Sequence, residues 1–88
     1  MRFAEGDARE VPLAFVMITA DIGREGDVLN ELKKIEHVKE ACLTYGVYDI
    51  VAKIEAETWD KLKEVMTSKV RRLTGVRSTL TMIVMEGT

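Results

Sequence analysis

Residues 38–56 read VKEACLTYGVYDIVAKIEA. Val38 to Tyr45 suits an extended strand, and Tyr45-Gly46-Val47 is a tight reversal. Tyr48 to Ala56 then alternates, with Ile50, Ala52, Ile54 and Ala56 on one face and Asp49, Val51, Lys53 and Glu55 on the other. A period of two is the mark of a half-buried strand. Two such runs with so short a link predict an antiparallel hairpin.

The flanks repeat one unit on either side of that hairpin. Upstream, Val11 to Ala20 is rich in β-branched and aromatic residues, and Pro12 suits its first positions. This run is apolar on both faces, as a central strand is. After the turn at Asp21 to Gly26, Val28, Leu32 and Ile35 recur at helical spacing, with Leu29 beside them, and predict a helix from Arg24 to Ile35. Downstream, Thr58 is a good N-cap for a second helix ending near Leu73. Its apolar stripe is Trp59, Leu62, Met66, Val70 and Leu73, and Gly75 terminates it. Val76 to Met85 is a last strand, with Val76, Leu80, Met82 and Val84 in phase.

The order is therefore βαββαβ. With right-handed crossovers it implies a ferredoxin-like sandwich of the α+β class. The expected sheet has four antiparallel strands in the order 4-1-3-2, with both helices on one face. The helices leave the other face uncovered, and part of Phe15, Met17, Val51, Ile83 and Met85 should lie there. An uncovered apolar face is an association surface, so dimers or larger assemblies are expected. Residues 1–10 read as a flexible lead, and residues 11–88 as one domain.

Composition narrows the function. Thirteen Lys and Arg stand against 15 Asp and Glu in 88 residues. The first 44 residues hold six bases and nine acids, the rest seven and six. Without a concentrated basic surface, direct nucleic-acid binding is not expected. One cysteine, Cys42, and one histidine, His37, leave no disulfide and no metal cluster of those residue types. The longest apolar run, Leu13 to Ile18, is too short to cross a bilayer. The expectation is a soluble cytoplasmic protein without cofactor. A lack of Gln, a single Asn and abundant charge lean towards a heat-tolerant source.

No Ser-His-Asp arrangement and no phosphate loop is present. Cys42 reads as a small buried hydrophobe, and His37 as a residue of the helix end or strand start. Trp59 reads as a core or subunit contact. Lys69, Arg71, Arg72 and Arg77 complement the end of the second helix or form an anion site. The unusual passage is Thr44-Tyr45-Gly46-Val47-Tyr48-Asp49. It combines a carboxylate with aromatic surface, and Ser78, Thr79 and Thr81 add hydroxyls. Such a set suits a zwitterionic small molecule; a turn alone explains much of it.

Three passages carry a resemblance: L-x-x-I-x-x-V-x-E-A from Leu32 to Ala41, T-Y-G-V-Y-D-I-V-A-K-I from Thr44 to Ile54, and L-T-G-V-R-S-T-L-T-M-I-V-M from Leu73 to Met85. In these the chain resembles the RAM domain, the effector domain of the Lrp/AsnC (feast/famine) transcription regulators, over Leu13 to Glu86. Two departures stand out. Tyr45 intervenes where the family has Thr directly before Gly, and Val47 replaces an acidic or polar residue. The family's helix-turn-helix is not in the sequence, and residues 1–10 are too short to hold it, so a stand-alone RAM domain is expected.

The resemblance implies a non-enzymatic module. It would form sheet-to-sheet dimers that close into octameric or decameric rings, with amino-acid effectors between dimers. It would modulate Lrp/AsnC-type regulators, co-assembling with full-length relatives, without binding DNA itself. By matching position, Gly46, Tyr48 and Asp49 would form the hairpin side of the effector pocket, Thr79 and Thr81 would add hydroxyls, and Ser68 would join from the second helix. Asp49 would pair with an α-ammonium group or orient the hairpin. The alternatives are an ACT-like regulatory domain, suggested by Gly23 and Gly26, and a small dimeric cofactor-free monooxygenase, for which only His37, Trp59 and Asn30 are available.

Overall fold

The computed structural model describes residues 11–85. The lead at residues 1–10, and Glu86 at the end of the resemblance, lie outside the described residues. The elements are β1 (Leu13–Ala20), α1 (Glu25–Lys33), β2 (Val38–Leu43), β3 (Ile50–Glu55), α2 (Trp59–Glu64) continued by a π-helical segment (Val65–Val70), and β4 (Val76–Ile83). All three strand pairs are antiparallel, and the sheet order is β2-β3-β1-β4. This is the ferredoxin-like sandwich expected from the sequence.

The period-two pattern resolves into two faces. Ala14, Val16 and Ile18 of β1 and Ile50, Ala52 and Ile54 of β3 are fully buried. All of these but Ala52 pack with Val28 and Leu32 of α1 and with Leu62, Val65, Met66 and Val70 in one core cluster, which puts both helices on the same face. The other face carries the partners of opposite phase. One row crosses all four strands as Cys42, Val51, Met17 and Leu80; the next runs Lys53, Phe15 and Met82. Leu80 and Met82 remain 46% and 43% exposed. Polar pairs flank this apolar centre. Thr19 Oγ1 and Ser78 Oγ lie 2.6 Å apart at one end, and Lys53 Nζ is 3.8 Å from Glu55 Oε2 at the other.

Several expectations are corrected. Ile83 pairs with Ala14 on the helix-covered face, so it does not belong to the open face, and Met85 lies beyond β4. Val76, Leu80 and Met82 do not share a face. A bulge sets Thr19 opposite Ser78 but Ala20 opposite Val76, so one residue of β4, Arg77, is skipped. That extra residue turns Val76 onto the core while Leu80 and Met82 point away. Cys42 is exposed, because its phase places it on the open face of the edge strand. Trp59 is 46% exposed, because it occupies the first helical position, ahead of the buried turn that begins at Leu62; this removes the core reading and leaves the subunit contact as the expectation.

The second helix is not α-helical throughout. From Val65 to Val70 it widens, with the Arg71 N–H donating to the Met66 carbonyl at 3.1 Å. Thr67 Oγ1 donates to the Lys63 carbonyl at 2.9 Å within the same turns, a local side-chain bond that competes with the α ladder. Thr58 caps the helix as expected, its Oγ1 accepting the Lys61 N–H at 3.0 Å. Gly75 closes the connection to β4 with φ of 99°; an added Cβ would stand 3.1 Å from Val28 Cγ2 and 3.2 Å from Arg24 Cβ. Glycine meets both demands there.

Candidate functional site

The reversal between β2 and β3 is longer than its three-residue reading. Residues 44–49 form the loop, and Tyr48 precedes β3 instead of opening it. Thr44 closes the loop twice. Its N–H donates to the Asp49 carbonyl at 2.8 Å, and its Oγ1 donates to the Tyr48 carbonyl at 2.8 Å. Gly46 sits at the tip with φ of 127°, a conformation that side chains resist. Tyr45 and Val47, beside it, are almost wholly in solvent, whereas Tyr48 and Asp49 are half-buried.

Asp49 anchors the loop to the centre of the sheet. Its Oδ2 accepts the Ala20 N–H at 2.8 Å, and its own N–H donates to the Ile18 carbonyl at 2.9 Å. Nearby, the Asp21 N–H donates to the Gly75 carbonyl at 2.7 Å. The loop, the end of β1 and the start of β4 therefore meet at one end of the sheet. This places Gly46, Tyr48 and Asp49 together.

Thr79 and Thr81 lie elsewhere, on the helix-covered side of the edge strand β4, opposite Ile18 and Val16. They line a cavity of about 370 Å³ between β4 and the second helix. Its apolar floor is Ala14, Leu62, Met66 and Ile83, and its polar rim adds Lys63, Thr67 and Arg71. Ser68 is exposed on the π-helical segment, and Thr67 occupies the lining position beside it. Within one chain, then, the sequence-predicted residues fall into two groups, the hairpin trio and the β4 hydroxyl pair. Sequence reading missed Arg71 as a neighbour of that pair. The basic cluster at the helix end was its only signal.

A second hollow, of about 490 Å³, follows the edge strand β2. Its lining includes Val38 and Ala41, which face the core, and Cys42 and Val51, which face away. A hollow that takes both sides of one strand is a groove around an edge, and its polar lining is mainly Lys33, Lys39 and Lys53.

His37 is 8% exposed, with Nε2 3.5 Å from Glu57 Oε1. Its Nδ1 is buried without a hydrogen-bond partner. The Glu57 carboxyl is held below its usual range, chiefly by its own backbone N–H and further by His37 and Lys61. No described helix is long and apolar enough to cross a membrane.

Known proteins share this chain's sequence family and its fold. The family model of the Lrp/AsnC ligand binding domain covers residues 13–88. Over 74 residues the chain is 34% identical to the HTH-type transcriptional regulator FL11 of Pyrococcus abyssi, across 84% of this chain and 48% of that protein. The chain thus spans about half the length of the curated relatives it matches. The crystal structure of FFRP-DM1 superimposes with a TM-score of 0.81 at 34% identity, covering 84% of this chain and 99% of that one. Escherichia coli AsnC superimposes with a TM-score of 0.80 at 27% identity, covering 86% of this chain and 52% of that one. With the family model matched over residues 13–88 and a curated relative 34% identical over 84% of this chain, the chain belongs to the Lrp/AsnC ligand-binding domain family.

Proposed function

We propose that this chain is a regulatory module that binds an amino-acid effector and couples binding to assembly, acting on transcription through Lrp/AsnC-type regulators and not by catalysis. The observation that carries the reading is the open sheet face, where Phe15, Met17, Val51, Leu80 and Met82 form an apolar centre between polar ends. Such a face suits a second copy of the same sheet. Dimers so formed would build octameric or decameric rings.

The separation of the two residue groups within one chain supports an effector site at contacts between copies. The hairpin trio Gly46, Tyr48 and Asp49 of one copy would face Thr79, Thr81 and Ser68 of another. Asp49 holds the hairpin and, as a carboxylate, would also attract the effector's ammonium group. A ligand that binds only the assembled form stabilises it by mass action. The module would act in the cytoplasm and reach DNA through mixed assemblies with full-length relatives.

Native mass spectrometry of the purified chain, with and without each of the twenty amino acids, tests this. Ring-sized species whose distribution shifts with one or two amino acids, and no longer shifts in Asp49→Asn, are expected. A monomer or plain dimer indifferent to all twenty overturns the reading.

A further inference from the structure

We propose that the cavity between β4 and the second helix is a carboxylate subsite, with the Arg71 guanidinium as anchor and Thr79 and Thr81 completing the anion's hydrogen bonds. The proposal deepens the effector reading, on which the roles of the two threonines rest. It names the part of the effector that this chain holds by itself.

Charge decides the ligand class. Both ionisable side chains in the lining, Lys63 and Arg71, are bases, and no described acid lines the cavity. Among the described residues neither base makes an ion pair, whereas Arg24, Lys34, Lys53 and Lys61 do. A guanidinium is a fork of donors that matches the two oxygens of a carboxylate. An ammonium group finds no carboxylate in this lining, so an amino acid would enter carboxylate first.

Geometry agrees. Thr79 and Thr81 are alternate residues of one strand and face the same side. Their positions are about 7 Å apart along the strand, close to the span of a carboxylate that accepts a hydrogen bond at each oxygen. The π-helical turn completes the wall. Its hydrogen bonds join residues five apart, so Met66 and Arg71, linked through the Arg71 N–H, both line the cavity. Beneath the polar rim, Ala14, Leu62, Met66 and Ile83 offer an apolar floor for the ligand's tail. The specificity that follows is for a small carboxylate with an aliphatic tail.

The test is calorimetric titration of the full 88-residue chain with 4-methylpentanoate, with its uncharged amide, and with L-leucine. The acid should bind at least about tenfold more tightly than the amide, as expected for charge-assisted hydrogen bonds. Arg71→Met should weaken the acid by a similar factor, with Arg71→Lys intermediate. Thr81→Val, which keeps shape and loses the hydroxyl, should also weaken it, and circular dichroism should show each variant folded. Equal binding of acid and amide, unchanged affinity in Arg71→Met, or no binding of the acid at millimolar concentration overturns the proposal. Native mass spectra of the same samples separate it from the effector reading. Arg71-dependent binding of the acid without any amino-acid effect on assembly upholds the subsite and refutes the amino-acid reading. An amino-acid effect on assembly that survives Arg71→Met refutes the subsite alone.

Discussion

Asp49 has two separable properties at the scale of the residue: an acceptor oxygen and a charge. The oxygen satisfies the N–H of Ala20, which is buried at the end of β1. Removing it in Asp49→Ala leaves that donor unpaired at a cost of about 1–3 kcal/mol. Asp49→Asn keeps an acceptor and loses only the charge. Thermal denaturation should therefore show a clear drop in Tm for the alanine variant and little change for asparagine, while effector response is lost in both. Glu57 gives a prediction in pH. Its carboxyl is held below the ordinary range in the folded state, first by its own backbone N–H and then by His37 and Lys61. A lowered folded value means that its stabilisation is complete above the unfolded carboxylate range and is lost as pH falls through the folded value. Melting curves of wild type and Glu57→Gln should differ most near neutrality and converge in acid.

Elements show how far local chemistry reaches. Thr58 was legible as a cap because its residue type and the helical spacing after it are both local, and its Oγ1 does accept the Lys61 N–H. Thr58→Ala should cost about 1 kcal/mol, measurable as a lower midpoint in urea denaturation at unchanged slope. The same spacing argument overran the helix. The apolar stripe is compatible with a continuous α-helix, yet the segment widens at Val65 to Val70. Val65, outside the expected stripe, is fully buried, and Trp59, inside it, is half in solvent. The hairpin shows a similar limit. Gly46 marked a reversal correctly, but loop length was set by the hydrogen bonds of Thr44 to Tyr48 and Asp49.

For the whole molecule, the decisive feature is that four strands have two faces and two helices cover one. The open face runs from Cys42 through Val51 and Met17 to Leu80. Leu80→Lys with Met82→Lys places two charges in the exposed part of that surface and leaves the core cluster untouched. Analytical ultracentrifugation should show the double variant as a monomer at concentrations where wild type associates, with unchanged circular dichroism. An equally associated variant would place the interface elsewhere. The groups that make up the candidate site, by contrast, were legible only as residue types. Asp49 and its partner Ala20 are 29 positions apart, and Thr81 lines a cavity with Lys63 and Arg71 across a change of element.

The amino-acid sequence alone determined the order βαββαβ, the buried face of β3 at Ile50, Ala52 and Ile54, the helix cap at Thr58 and the family motifs, whereas the second helix stops at Val70, short of the expected end near Leu73 and Gly75. Each feature so determined depends on periodicity or turn chemistry within about a dozen residues, and that is the range over which side-chain spacing carries information. Tertiary structure decided the rest. One skipped residue in the pairing of β4 with β1 put Thr79, Thr81 and Ile83 on the helix side and Leu80 and Met82 on the open side. A shift of one residue exchanges the faces of a strand. The hydrogen bonds that set this register join residues some sixty positions apart, as Thr19 and Ser78 are, and no local pattern records them.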